Sequence, residues 1–463
     1  MNEWNLLAEK LRPIVGDDAI LVGRDTEPYA ADRWARGGVP PLVVLPATQD
    51  DVSRAVKNLY DAGLPFVARG RGTGMTGGAL PMGRAAVISF ERMNRIIEVR
   101  PDAFEMTVEP GALLSEVQAA AKSVGLLYPP DPASADECSI GGNIAENAGG
   151  LSCVKYGVTG EYVLSLDVVL PDGRIATFGS HARKDVAGLD LKRIVIGSEG
   201  MLALVTRIVL RLVPRPEADA TVCCWFSGAE EAVSSLQAVM QGGVMPARAE
   251  LIARECLRIM ADDGVSVHPG AGALLLLGLD GTLDGVEEER KMAGRILEKR
   301  VLAMDSASGG DASHLWKLRS SLSPALKKLA PMKINEDIAV PLDRQADCIR
   351  FTEELAARTG LLIAVFGHAG DGNLHVNFMI TPEEREIAEG AVGELFTEVV
   401  RLGGTITGEH GIGVAKAPWA GLRLDPVTLE LCRSLKLVFD PKNLLNPGKA
   451  LYGAVPGEIT RLV

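Results

Sequence analysis

The 463-residue sequence has no apolar stretch approaching the ~20 residues that a membrane-crossing helix requires. Its longest apolar runs, residues 273–277 and 361–366, are of a length suited to buried strands. Positive charge is also short: 48 Lys and Arg against 60 Asp and Glu give a net charge of -12. The long-range field that draws nucleic acid or anionic lipid is therefore missing, and any cationic site has to be local. The seven cysteines contain no C-x-x-C pair, which excludes an iron–sulfur run or a zinc ribbon. Residues 1–16 mix Glu3, Glu9, Lys10 and Arg12 with Trp4, Leu6, Leu7 and Leu11, without the unbroken apolar core of a secretory signal. A cytoplasmic location is the expectation. There is no internal repeat and no low-complexity tract.

A 47% hydrophobic, 23% charged composition is that of a folded chain, and the length suits two or three packed lobes. In the first, a strand at 42–45 precedes Thr48, which with Asp51 forms a capping pattern for a helix ending at Gly63. A strand at 64–68 then delivers a glycine-rich loop to a sheet edge, and a β-prone segment, 85–91, follows. A second loop rich in Gly and Asn spans 129–150. A hairpin is predicted with strands at 166–170 and 175–178 around Pro171-Asp-Gly-Arg174, and a strand at 205–213 closes the lobe before Pro214 and Pro216. From residue 221 strands and helices alternate, with strands at 221–226 and 273–279 and helices at 229–240, 286–304, 312–329, 344–358 and 382–402. Residues 361–380 read as two strands about the tight turn Ala369-Gly-Asp-Gly-Asn373. This middle region is expected to be an α+β lobe.

The first loop, Arg69-Gly-Arg-Gly-Thr-Gly-Met-Thr-Gly-Gly-Ala-Leu-Pro81, contains G-x-G-x-x-G at Gly72, Gly74 and Gly77, with Glu91 near the position of a Rossmann acid. A Rossmann loop runs straight into a helix whose N-terminus faces the pyrophosphate. Here Pro81 and Gly83 interrupt and a β-prone segment follows, so NAD binding through this loop is rejected. Backbone N–H groups in so glycine-rich a segment can still approach a diphosphate closely; a plain surface loop is the competing reading. The second loop, Pro129-Pro-Asp-Pro-Ala-Ser134 to Ser139-Ile-Gly-Gly-Asn-Ile-Ala-Glu-Asn-Ala-Gly-Gly150, adds a second such segment, and two suit a dinucleotide better than one phosphate.

With Lys155-Tyr-Gly157 and Ile196-Gly-Ser-Glu-Gly200, these motifs resemble the p-cresol methylhydroxylase-type FAD-binding domain of the vanillyl-alcohol oxidase superfamily, over residues 37–216. The resemblance implies FAD with its diphosphate on Arg71, Gly72, Thr73, Gly74, Met75, Thr76, Gly77 and Gly78. Further contacts are implied from Pro130, Asp131, Ser134, Gly141, Gly142, Asn143, Glu146, Asn147 and Gly149, and from Gly200 and Asn446. Neither loop carries a histidine where some relatives attach the flavin, so non-covalent FAD is expected. The implied architecture is α+β: an FAD-binding domain over 1–216, a substrate or cap domain over 217–404, and a C-terminal segment, 405–463, returning to the flavin.

Gly367-His-Ala-Gly-Asp-Gly-Asn-Leu-His-Val-Asn377 puts His368 and His375 at either end of a tight turn. If the flanking strands pair, both imidazoles can reach one face, and His375 shares its strand face with Asn377. Packed or surface histidines are the alternative reading. Glu409, in Thr407-Gly-Glu-His-Gly-Ile-Gly413, is the nearest third ligand. Two imidazoles and a carboxylate suit zinc, manganese or ferrous iron with positions open to a bidentate hydroxy acid.

This half resembles the flavin-linked D-2-hydroxy-acid dehydrogenases, including D-lactate and D-2-hydroxyglutarate dehydrogenases and the flavoprotein subunit of glycolate oxidase. The resemblance implies His368, His375 and Glu409 as metal ligands and His410 as the general base. It implies Asn377, Arg319 and Ser323 as substrate contacts, the last two being four residues apart on one helix face. One departure stands out: where some relatives carry a substrate-binding lysine, two residues before the Asp of the following strand, this sequence has Asn335. Lys333 is the candidate substitute for gripping a second carboxylate, although Lys333, Glu336 and Asp337 also read as strand-end charges.

The expected reaction is FAD-dependent, metal-assisted oxidation of D-lactate, glycolate or D-2-hydroxyglutarate to the 2-oxo acid, with hydride passing to flavin N5. An alkyl-dihydroxyacetone-phosphate synthase-like transferase and a non-catalytic flavin subunit of a complex are the alternatives. The electron acceptor is open among an electron-transfer flavoprotein, an iron–sulfur subunit and a quinone, with peripheral association with the inner membrane through a partner, and a homodimer, left as options.

Overall fold

The computed structural model describes residues 3–452, 460 and 461, without the side chains of residues 323, 324, 327, 452, 460 and 461. Its described residues fall into two compact units, the first comprising residues up to Ala148, Val158–Arg215 and the stretch from Glu409 onward, the second Gly149–Gly157 and Pro216–Gly408. Lys155-Tyr-Gly157, read from sequence with the first lobe, thus belongs to the second unit.

In the first unit β1 (Ile20–Leu21), β2 (Val43–Val44), β3 (Phe66–Arg69) and β4 (Ala86–Ser89) form a sheet in the order β1-β2-β4-β3. The helix α1 (Gln49–Asp61) links β2 to β3. It begins with a reciprocal capping box, in which Thr48 accepts from the Asp51 amide at 3.2 Å and the Asp51 carboxylate accepts from the Thr48 amide at 3.0 Å. Its inner face buries Val52, Ala55, Val56 and Leu59 against Val43, Phe66 and Val87. Each of these Val, Leu or Phe side chains withdrawn from water contributes roughly 1.5–3 kcal/mol. Because β3 pairs in parallel with β4 and lies at the sheet edge, the glycine-rich segment after Arg69 leaves from an edge and enters a strand, with no helix between.

A second, antiparallel sheet contains β5 (Ile96–Arg100), β6 (Glu105–Val108), β7 (Val163–Val169), β8 (Ile175–Gly179) and β9 (Leu204–Arg211), ordered β8-β7-β9-β6-β5. The β7–β8 hairpin turns at Gly173, whose φ of 90° suits glycine. The second glycine-rich segment departs from its sequence reading. Gly141, Gly142, Asn143 and Glu146 lie on a short helix, α2 (Ile140–Glu146), whose N-cap Ser139 accepts from the Gly142 amide. The reason is packing: a Cβ at Gly141 would meet Pro110 at 2.6 Å, so glycine there serves a close helix approach.

The second unit is built on one antiparallel sheet of seven strands. These are β10 (Ala218–Phe226), β11 (Arg248–Ala253), β12 (Ala273–Gly281), β13 (Ala303–Ser308), β14 (Met332–Ala339), β15 (Leu362–His368) and β16 (Asn373–Ile380), ordered β13-β10-β12-β11-β15-β16-β14. On one face α4 (Arg254–Asp262) and α6 (Ser313–Lys327) bury Cys256, Leu257, Met260, Leu315, Leu322 and Leu326 against Leu274, Leu276 and Phe366. The helices α3 (Ala229–Gln241), α5 (Leu283–Leu297), α7 (Gln345–Thr359) and α8 (Arg385–Arg401) complete the unit. The helix expected over 286–304 stops at Leu297; residues 303–308 become β13 because they pair with Ala220–Trp225 of β10. The strand β11 and helix α4 were not foreseen from sequence.

Candidate active site

The hairpin β15–β16 pairs Phe366 with His375 and His368 with Asn373, so alternation places Phe366, His368, Asn373 and His375 on one face. The turn closes at Gly372, φ 86°, where a Cβ would lie 2.1 Å from the Val340 carbonyl oxygen. Both imidazoles are buried, their ring centroids 5.2 Å apart and their planes nearly perpendicular.

Across β11 the register partner of His368 is Glu250, which is completely buried. Its Oε1 hydrogen-bonds His368 Nδ1, and its Oε2 accepts from Arg319 Nε at 2.7 Å. Burial would push this carboxyl up, but His368 and Arg319 outweigh it through charge and hydrogen bonds and hold it below the usual carboxylate range. The Arg319 guanidinium carbon sits 4.5 Å from the Phe366 ring centroid. Arg319 is thus anchored from two sides and is not a solvated helix charge.

Asp337, fully buried on β14 opposite His375, is a second carboxylate with a positioning task. Its Oδ1 accepts from Asn373 Nδ2 at 2.6 Å, while its Oδ2 accepts from the Gly408 amide at 2.9 Å and the Thr407 hydroxyl at 3.1 Å. Glu409 follows Gly408 directly, so one peptide bond from this anchored residue sets its place. His368, His375 and Glu409 each offer a ligand atom, and these atoms lie within 4.8 Å of one another. With Nδ1 of His368 bonded to Glu250, its Nε2 is the nitrogen offered to an ion. Two imidazoles and a carboxylate are donors that fit zinc, manganese or ferrous iron.

The remaining substrate candidates divide. Asn377 is fully buried; its Nδ2 donates to the Ala364 and His375 carbonyls at 3.2 and 3.1 Å, and its Oδ1 accepts from Asn335 Nδ2 at 2.7 Å. Only the second lone pair of Oδ1 is left to such a contact. Lys333 is half-buried and shares the face of Asn335 and Asp337, being paired with Met379. The side chain of Ser323 lies outside the described residues.

In the first unit the glycine-rich loop and the tail are joined through Thr76. Its hydroxyl donates to the His410 carbonyl at 3.0 Å, and its carbonyl accepts from Val414 and Ala415 at 2.7 and 3.0 Å. Gly413 has φ 51°, and a Cβ there would lie 2.2 Å from the Thr76 carbonyl oxygen. Glu199 accepts from the Ile412 and Gly413 amides at 2.8 and 2.6 Å. The His410 imidazole Nε2 is 3.8 Å from Glu409 Oε1. Asn446 and Asn147, both read as flavin contacts, hold the chain itself: Asn446 Nδ2 donates to the Glu199 carbonyl at 2.9 Å, and Asn147 Oδ1 accepts from the Gly160 amide at 2.8 Å.

Around this loop lie charged groups of which the sequence reading named only Glu146; Asp32, Glu199 and Lys449, all buried, were missed. Burial pushes Asp32 up to about 6 and Lys449 down to about 7. Glu146 and Glu199 are both raised by burial, and mutual repulsion adds to the rise at Glu146. The two backbone donors on Glu199 favour its ionised form and oppose the effect of burial there. Arg69 Nη1, Asn143 Nδ2, Glu146 Oε2 and Ser198 Oγ are buried without a partner from the chain. Orphaned donors and acceptors beside a glycine-rich backbone fit a large polar ligand such as a dinucleotide.

These charges were hidden because ion pairs between distant segments leave no periodic signal. Glu250 had one: a carboxylate set directly among Ala249, Leu251, Ile252 and Ala253 marks a strand with something to pair.

The family described as "FAD binding domain" matches residues 40–179, and that described as "FAD linked oxidases, C-terminal domain" matches residues 215–450. The glycolate oxidase subunit GlcD of Bacillus subtilis (strain 168) is 37% identical over 417 residues, 89% of each chain. A D-lactate dehydrogenase of Anaerostipes hadrus is 31% identical over 467 residues, covering 96% of this chain and 97% of that one. The fold is also that of a p-cresol methylhydroxylase structure with substrate bound, with a TM-score of 0.81 at 19% identity, covering 98% of this chain and 97% of that one. The chain belongs to the FAD-linked oxidases and is an FAD-binding oxidoreductase of the glycolate oxidase and D-lactate dehydrogenase type.

Proposed function

We propose that this protein oxidises a small D-2-hydroxy acid, of the lactate, glycolate or 2-hydroxyglutarate class, to the 2-oxo acid with the help of a divalent metal ion. The observation that carries this reading is the approach of His368, His375 and Glu409 ligand atoms to within 4.8 Å, with the Glu250–Arg319 pair attached to the same histidine. Such a donor set would hold a divalent ion able to polarise a hydroxyl oxygen, and FAD, when bound, would supply the hydride acceptor.

The chain's own residues do the rest. Arg319 engages Glu250 through Nε, and the opposite edge of its fork suits a bidentate bond to the substrate carboxylate. His410 takes the hydroxyl proton; it is adjacent in sequence to Glu409, so it stays within a residue of whatever Glu409 holds. Thr76 and Glu199 fix the backbone of residues 410–413 and so aim the imidazole. Asp337 fixes Glu409 through Gly408. Buried Asn377 orients the sheet beneath the site and offers the substrate one acceptor lone pair. The non-covalent flavin is held by the 71–78 loop, α2 and the residues around Gly200. The Bacillus subtilis relative is named as a subunit, and a second protein as electron acceptor is the matching proposal here. Among the described residues no helix is long and apolar enough to cross a membrane.

The deciding experiment is anaerobic mixing of the FAD-loaded protein with a panel of D- and L-2-hydroxy acids, following flavin absorbance with and without a chelator. Bleaching by D-acids that is lost on chelation is expected. Indifference to every acid would turn the assignment toward a transferase or a non-catalytic flavin subunit; bleaching insensitive to chelation would remove the metal.

A further inference from the structure

Glu250 stands where a sheet interior ordinarily carries an apolar side chain. Its neighbours on β11 are Ala249 and Leu251, its cross-strand partner on β12 is Leu276, and none of its surface is exposed. A lone carboxylate there would cost several kcal/mol. It is kept in place by two donors from different elements, Arg319 Nε on α6 and His368 Nδ1 at the end of β15.

A carboxylate on Nδ1 does more than compensate charge. Ionised, it can only accept, so the His368 ring proton must sit on Nδ1 and the ring's lone pair on Nε2. The other oxygen is occupied by Arg319, whose guanidinium also stacks on Phe366 in the same strand as His368. One buried group therefore sets the tautomer of one residue and the plane of the other.

We propose that Glu250 is the positioning residue of this site, fixing His368 as an Nε2 ligand while registering Arg319 against the same histidine. This rests on the metal-assisted reading above. Glutamine at this position is the discriminating change. Its single carbonyl oxygen can still accept from Arg319, but its amide then donates to His368 Nδ1, moving the ring proton to Nε2 and withdrawing the lone pair from the ion. A carboxylate partner of a ligating histidine contributes about 10- to 100-fold in metal affinity.

The test uses the full-length, FAD-loaded protein, with zinc affinity measured by competition against a chromogenic chelator. Glu250→Gln is expected to weaken zinc by about 10- to 100-fold with the flavin spectrum and thermal midpoint retained, and to add nothing in a His368→Ala background. Zinc affinity within about twofold of wild type, or an equal loss in the His368→Ala background, overturns the proposal. Wild-type protein that takes up no zinc, manganese or ferrous iron sinks the metal reading and the proposal with it. Tight wild-type binding with Glu250→Gln unaffected sinks the proposal alone. Should the glutamine variant lose its flavin, histidine-labelled wild type decides by nitrogen NMR: Nδ1–H at His368 is expected, and Nε2–H overturns the proposal.

Discussion

The Gly408 amide donates to Asp337 Oδ2 at 2.9 Å, which pins the residue before Glu409 to a strand whose opposite neighbour is His375. Asp337→Ala removes the acceptor used by Gly408, Thr407 and Asn373 together. A loss of about 2–4 kcal/mol in urea unfolding and a weaker grip on metal at Glu409 are the expected outcomes. Asp337→Asn, which keeps one acceptor oxygen, should fall between. Full metal affinity in the alanine variant would show that Glu409 is held by something else.

His410→Ala should retain flavin yet reduce it about 10²- to 10⁴-fold more slowly in anaerobic stopped flow. Near-normal reduction would remove His410 from the chemistry.

Glu199 is the counterpart of Asp337 in the first unit, binding the Ile412 and Gly413 amides. Glu199→Ala leaves the buried Gly413 amide and the part-buried Ile412 amide without this acceptor and should cost about 2–4 kcal/mol in apoprotein stability. Glu199→Gln, with one oxygen retained, should cost about half. Equal costs for the two would mean that the negative charge, not the pair of bonds, matters.

The apoprotein should be least stable, through two groups, between about pH 6 and 7. Lys449 is held near 7 when folded, below its ordinary 10.5, so over that interval the unfolded chain carries the extra proton. Stability therefore rises with pH from 7 upward, by at most about 1.4 kcal/mol per pH unit. Asp32 is raised to about 6 from 3.8, so its folded form carries the extra proton, and stability falls as pH rises through that window. Urea titrations from pH 4 to 9 check this: Lys449→Met should flatten the alkaline arm and Asp32→Asn the acid arm. Arms that persist in these variants would assign the dependence to other groups.

Local features were legible because they depend on a few adjacent residues. The Thr48–Asp51 capping box, the turn at Pro171–Arg174 and the alternation that sets His368 and His375 on one face all follow from short-range geometry. The reading of 303–304 as helix and of 140–146 as loop failed for the opposite reason. β13 exists because β10 offers it a partner, and α2 because Pro110 and Ser139 receive it.

Residue type and spacing put forward His368, His375 and Glu409 as a candidate metal set and related the glycine-rich loops to a dinucleotide, since those chemistries need particular atoms in a particular order; His410 entered through the family resemblance. Which carboxylates stand behind them was decided only by the folded chain. Glu250 lies 118 residues from His368, and Asp337 lies 71 from Gly408. A buried charge is stable only beside its partner, and strand pairing, which brings such distant residues together, is a property of the whole sheet and not of any one segment.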